Sequence, residues 1–404
     1  MKTLFCFYDM AVSPCSYDFF TFLYSAEICR IRRGLSDIKL IFVHGPEGKF
    51  RKDNIRTPQQ NETFFNNVII PGISLLPSCE SFMWLKRQEI SFQSLSAQNI
   101  FPRGYTLNQP TAEYVANALV ASLLRKDTPG FLEAPSYSRK IAEQIANSRT
   151  SGRPYVTLTV REIERDNANN TRTINYDVWS EAIIKLREKG VETLVVRDTS
   201  QAFSPALFPN TPEVPEASVH LPTRLALYEN ALLNYTKNNG PGTLQLYSKA
   251  RTMLFNSFDD DVIALSRKWY SVNFGMNHGD QYPMTTINKK FIWDDEATAT
   301  VIQGALDAME TSGNNSKVNG FTNIEHVKSS LIVALRHLAS QLHYGLLQED
   351  IVLFKAIKAV NAQFNLFNSV EQPLSELSGD KISQEVLTEL FAHSNENISH
   401  TQNI

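Results

Sequence analysis

The sequence predicts an α/β protein built as two Rossmann-like halves with a helical extension at its C-terminal end. Three observations carry this. Short apolar runs with the character of buried strands, at residues 4–8, 38–43, 155–160, 191–196 and 252–255, alternate with segments of helical periodicity. The order strand, loop, helix, strand opens the chain and starts again at Tyr155, just after the breaker Thr150-Ser151-Gly152-Arg153-Pro154. No strand pattern follows about Trp293, while helical stripes continue to Ala392. The expected division is 1–150, 151–310 and 311–404.

In the first half, residues 4–8 are the first strand and Asp9 ends it. A loop leads to Ser16, a candidate N-cap, with Asp18 in the first helical turn. Residues 17–33 carry Phe20, Leu23, Tyr24, Ile28 and Ile31 as a helical stripe, and Gly34 stops it. The second strand, 38–43, runs into a glycine-rich segment with His44, Lys49 and Arg51. In an open parallel sheet, ligands bind beyond the carboxyl ends of the strands. Asp9, Asp18, His44, Lys49 and Arg51 are therefore candidates for one cleft edge, the alternative for each being a helix cap or a solvated charge. Further expectations are a helix at 57–67 capped by Thr57-Pro58, a strand at 68–70, and helices at 78–86, 112–124 and 134–149.

In the second half, the strand 155–160 ends in Arg161-Glu162 and the strand 191–196 ends in Arg197-Asp198. Between them, 176–189 is a helix with Val178, Trp179, Ala182, Ile183 and Leu186 on one side. Arginine is planar and permanently charged, which suits a diphosphate. The competing explanation is a salt-bridge network among Arg161, Glu162, Arg197 and Asp198 that orders the loops. A helical segment at 220–237 then meets the turn Asn239-Gly240-Pro241-Gly242-Thr243. Two glycines let the backbone approach a ligand. Thr243 stands where a helix start would offer free N–H groups to a phosphate. A ligand-free loop with a helix cap explains the same residues. A second polar loop, 274–283, adds His278, Asp280 and Gln281 as candidates. Helices are expected at 297–309, 325–344, 351–364 and 384–392, with a polar loop at 311–319.

The run from Asn239 to Ser248, followed by Thr252-Met253-Leu254-Phe255, resembles the donor-site segment of two-Rossmann-domain (GT-B) glycosyltransferases, distantly that of the heptosyltransferase-like group. There an Asp or Asn, a glycine and a small residue lead into a helix and then a strand. Leu244 and Gln245 stand near the place of that group's helix histidine. The resemblance covers about residues 153–302. It implies transfer of a sugar from a nucleotide-sugar to an acceptor hydroxyl, with no metal and no cofactor beyond the donor substrate. It also implies that the first half holds the acceptor and the second half the donor. The general base would come from the first half, between its first strand and first helix: Asp18 or Asp9, with His44 next in line. Two rival functions keep the same architecture: a non-catalytic binding or scaffold protein, and a nucleotide-sugar 2-epimerase.

Composition narrows the classes. The chain has 404 residues, is 42% hydrophobic and 20% charged, and so can bury ordinary globular cores. A net charge of −3 gives no basic field for nucleic acid. Four cysteines without a Cys-x-x-Cys pair suit a reducing compartment, so a cytoplasmic protein is expected. No 18-residue apolar run predicts a membrane span. There is no phosphate-binding P-loop, no Gly-x-Ser-x-Gly elbow, no Gly-x-Gly-x-x-Gly after the first strand and no His-x-x-x-His pair.

Overall fold

The apolar runs of the first half become strands buried on both faces, as parallel strands between helical layers must be. In the computed structural model these are β1 (Thr3–Asp9) and β2 (Asp37–Val43), whose last four residues are all buried. The structure describes residues 2–47, 49–52, 56–92, 99–102, 104–111, 132–162, 173–255, 258, 266–268, 278–280, 289–293 and 297–312. They fall in two units. One comprises Met1–Val115, Pro129–Asn256 and Asp294–Asn315; the other comprises Ala116–Thr128, Ser257–Trp293 and Ser316–Ile404. The helices expected at 112–124, 325–344, 351–364 and 384–392, and the loop at 313–319, lie outside the described residues.

The first unit contains two parallel sheets. In the first, β3 (Cys79–Leu85) and β4 (Ile100–Phe101) complete the order β3-β2-β1-β4. Between β1 and β2 runs α1 (Asp18–Arg32), whose Phe19 and Phe22 meet Tyr8 of β1 edge-on at ring distances of 5.1 and 4.9 Å. The second sheet has β5 (Tyr155–Thr159), β6 (Glu192–Val196), β7 (Asn234–Thr236) and β8 (Thr252–Phe255) in the order β6-β5-β7-β8. Each sheet thus has a point where the chain reverses its direction of growth. That point lies between β1 and β4 in the first sheet and between β5 and β7 in the second. Such switch points open a crevice at the strands' carboxyl ends.

Several expectations are corrected. The run at 68–70 is not a strand. It continues the helix α2 (Pro58–Phe64) through a π-turn at Phe65–Ile69 into α3 (Ile70–Ile73). A short apolar run fits either state by periodicity alone. The segment 78–86 is a strand, β3, rather than a helix. Among the described residues it pairs with β2 alone and sits at the sheet edge, where Glu80 and Phe82 are exposed and its other residues half-buried. The segment 220–237 divides into α7 (Leu221–Asn230) and the three-residue strand β7. Ser16 is not the N-cap of α1. Tyr17 takes that place without a side-chain cap, and the Ser16 hydroxyl instead donates to Asp18 at 2.6 Å.

The remaining helices of this unit are α4 (Ser136–Thr150), α5 (Tyr176–Glu188), α6 (Pro215–Val219), α8 (Gly242–Leu246) and α9 (Thr298–Ser312). Trp179 of α5 is fully buried against Tyr235 of β7 and Phe255 of β8. α9 crosses β8 closely, because a Cβ on Gly304 would lie 2.6 Å from the Met253 Cε. The two halves touch through α1 and α8 and through α3 and α7. In the other unit, β9 (Lys289–Ile292) precedes Trp293, which stacks on Phe258 at 4.3 Å. No helix among the described residues is long and apolar enough to cross a membrane.

Gly45 fixes how the loops after β1 and β2 meet. A Cβ there would stand 2.5 Å from the Met10 carbonyl oxygen and 2.5 Å from the Phe50 carbonyl carbon, both backbone atoms that cannot swing away. Gly45→Ala is expected to lower unfolding free energy by about 2 kcal/mol. A urea midpoint unchanged from the parent would rule this out.

Candidate active site

Each sheet presents its charged residues at the switch point, but they are used differently in the two halves. In the first, Asp9 ends β1 with no exposed surface. Its carboxylate takes both oxygens' worth of contact from Arg87 Nη2 at 2.7 Å, accepts the Tyr105 hydroxyl at 2.7 Å and accepts the Ala11 N–H at 2.9 Å. Arg87 also donates to the Leu107 carbonyl at 2.7 Å. Burial and the Asp9 carboxylate push the Tyr105 phenol well above its ordinary value. Asp9 is thus an anchor at this switch point.

Asp18 differs in every respect. It is exposed at the first position of α1, with Ser16 as its hydrogen-bond partner. It lies near enough to Tyr247 of the second half to add to the rise of that phenol's pKa, which burial dominates. His44 follows β2, half-buried, with its ring 5.3 Å from Trp84. Burial first and Lys49 second hold its pKa below the ordinary value, so the neutral imidazole is favoured. Lys49 sits over the Trp84 ring at 5.0 Å, and Arg51 donates to the Val12 carbonyl at 3.2 Å.

In the second half the four charged residues after β5 and β6 divide. Arg197 is buried and forked onto Glu162 at 2.8 and 2.6 Å, with further bonds to Ser204, Pro205 and Glu213. The Glu162 bonds first, and its charge with that of Glu213 after, hold this guanidinium's pKa above its usual value. Arg197 and Glu162 form the loop-ordering network, with the guanidinium engaged through Nε, Nη1 and Nη2. Asp198 accepts the Glu162 N–H at 2.9 Å, and burial raises its pKa despite Arg224 and Arg161 nearby. Arg161 remains, at the carboxyl end of β5 beside the switch point. It is half-buried and has no hydrogen-bond partner among the described residues. Burial lowers its pKa; Asp198 opposes this and Arg56, from the first half, adds to it. Arg56 is itself held by a bond to the Cys15 carbonyl at 2.6 Å and by the Phe64 ring at 4.3 Å.

The glycine turn differs from the sequence expectation of free N–H groups. The Gly242 N–H donates to the Asn239 side chain at 2.8 Å, Thr243 N–H to the Gly240 carbonyl at 3.0 Å and Leu244 N–H to the Pro241 carbonyl at 3.1 Å. The Asn239 amide in turn donates to the Thr236 hydroxyl at 3.0 Å. α8 is only five residues long, too short for a developed dipole. The space that a side chain on Gly240 would need is taken by Tyr17, whose Cδ2 lies 2.2 Å from that Cβ position.

Solved structures similar to this chain include heptosyltransferases and a glycosyl transferase of family 9. Escherichia coli ADP-heptose LPS heptosyltransferase II matches with TM-score 0.43 and 11% identity, over 78% of this chain and 100% of its own. A glycosyl transferase family 9 structure from Veillonella parvula matches with TM-score 0.45 and 8% identity, over 76% and 97%. E. coli heptosyltransferase WaaC with ADP matches with TM-score 0.35 and 11% identity, over 76% and 99%. No family model and no curated protein matches. At these scores the likeness carries no argument about residues or reaction.

His278 and Asp280 belong to the other unit. The His278 ring lies 5.2 Å from Trp293, whose indole N–H donates to the Asp280 carbonyl. Gln281 lies outside the described residues. Among the described residues no group of three or more His, Cys, Asp or Glu could hold a metal ion. Three residues at the second half's crevice escaped the sequence reading. Arg224 of α7 is buried and donates to the carbonyls of Ala217, Arg197 and Ser218. Tyr17 and Arg56 reach the crevice from the first half. Arg224 did leave a signal, a lone charge inside the apolar run Leu221 to Tyr228, but Tyr17 and Arg56 left none.

Proposed function

We propose that the chain is a glycosyltransferase that moves a sugar from a nucleotide-sugar to an acceptor hydroxyl. The observation that most supports this is Arg161, a half-buried guanidinium at the second sheet's switch point with its donors uncommitted among the described residues. A cation kept in a crevice without a carboxylate bond is a seat for an external anion, and a donor diphosphate supplies one. Arg56 brings a second positive charge to the same place, so no metal is needed to balance the diphosphate. Asp18 takes the acceptor's hydroxyl proton as the oxygen attacks the anomeric carbon. The bond from that carbon to the diphosphate breaks, and the departing charge rests on Arg161. The four free thiols suit action in the cytoplasm.

Isothermal titration against UDP-, GDP-, ADP- and CMP-sugars tests the reading, with heat expected from one nucleotide class. Arg161→Gln is expected to weaken that binding about tenfold or more, the worth of a charge-assisted bond. A folded sample that gives no heat with any of them would sink it. A second reading, a binding protein that keeps the fold, is favoured by the internally bonded glycine turn. It predicts donor binding without acceptor-dependent turnover. Isomerisation of the donor alone would point to the 2-epimerase instead.

A further inference from the structure

Three residues along the start of α1 face the second half. Tyr17, Thr21 and Tyr24 are four and three places apart, so they share one side of the helix. The Tyr17 ring lies against the Gly240 position, close enough that a Cβ would meet Cδ2, Cε2 and Cγ at 2.2, 2.8 and 2.9 Å. Its hydroxyl accepts a long bond from Arg224 Nη1 at 3.5 Å. The Thr21 hydroxyl lies 3.1 Å from that of Tyr247, and the Tyr24 ring stacks on Tyr247 at 4.7 Å. Phe20 and Phe64 hold the Tyr17 ring from its own half, at 5.8 and 5.9 Å. Asp18 is the next residue in the chain and the first of the helix.

The geometry points to Tyr17 as a positioning residue: it fixes the start of α1, and with it Asp18, against the Asn239–Thr243 turn, and Gly240 is glycine to admit its ring. This rests on the glycosyl-transfer reading and gives the turn a different duty from phosphate binding. The turn sets the distance between the base and the donor. Rigid placement of the reacting groups is worth orders of magnitude in rate, and a misplacement of about 1 Å loses about a hundredfold. Tyr17 itself touches no reacting atom.

The test measures donor affinity by titration and kcat with acceptor, for Tyr17→Ala, Tyr17→Phe, Gly240→Ala and the double variant Tyr17→Ala/Gly240→Ala. Both Tyr17→Ala and Gly240→Ala are expected to lower kcat about tenfold or more while the donor Kd stays within about threefold. Tyr17→Phe keeps the ring on the glycine and is expected to restore kcat to within about threefold of the parent. The double variant is expected to be no slower than the slower single, because both changes break one contact. Should Tyr17→Ala fail to fold, Gly240→Ala carries the same comparison. Parent-like kcat in Tyr17→Ala or Gly240→Ala, losses that multiply in the double variant, or equal loss of donor affinity would overturn the role of Tyr17 alone. A parent protein without transfer overturns the glycosyl-transfer reading and this role with it.

Discussion

Asp18→Asn is expected to lower turnover by about a hundredfold or more while donor affinity stays nearly unchanged, the usual signature of a lost general base. Asp18 is exposed at the first position of α1, and among the described residues its carboxylate is tied to the short-range partner Ser16 alone. The substitution keeps shape and leaves a neutral amide that cannot take a proton. Stability should change by less than about 1 kcal/mol, since only a helix-dipole contribution at an exposed site is lost. Steady-state kinetics with saturating donor read the first expectation, and urea unfolding reads the second. Full turnover in Asp18→Asn removes the role from Asp18. His44→Gln is then the variant to examine, because the imidazole of His44 is held neutral by burial and Lys49.

Asp9→Ala is expected to fail in the opposite way, lowering unfolding free energy by about 3 kcal/mol. The carboxylate has no exposed surface and serves three partners at once: Arg87, Tyr105 and the Ala11 N–H. Removing it leaves the Tyr105 hydroxyl and the Ala11 N–H without their acceptor in a crevice packed by Phe7, whose ring lies 4.7 Å from that of Tyr105. Arg87 is 34% exposed and can turn to water, which keeps the loss at the low end for a broken buried pair. Equilibrium urea unfolding by fluorescence checks it. A midpoint within error of the parent would show that the Asp9 cluster does not hold the β1–β4 switch point together. Two aspartates nine residues apart thus separate stability from turnover, and one pair of variants tells them apart.

The sequence by itself determined the longer buried strands and the α/β class. β1, β2, β5 and β6 belong to parallel sheets and are buried along most of their length, so their residues run largely apolar, and that is visible in one dimension. It also placed Asp9, Asp18, Arg161, Glu162, Arg197 and Asp198 at strand or helix ends, because a change from apolar to charged residues marks such an end. Other strands were not legible. β3 lies at a sheet edge, half-exposed and without a buried apolar run, while β4 has two residues and β7 three, and runs that short carry too little periodicity to be told from a helix. Tertiary structure alone decided the use of each charge. Arg161 and Arg197 end neighbouring strands in the same way, yet Arg197 reaches Glu162 and Glu213 while Arg161 meets Arg56 from a loop about a hundred residues away. It decided the glycine turn in the same manner. The absence of a Cβ at Gly240 can be read in the sequence, but that Tyr17, and not a phosphate, fills the space depends on how the two halves pack.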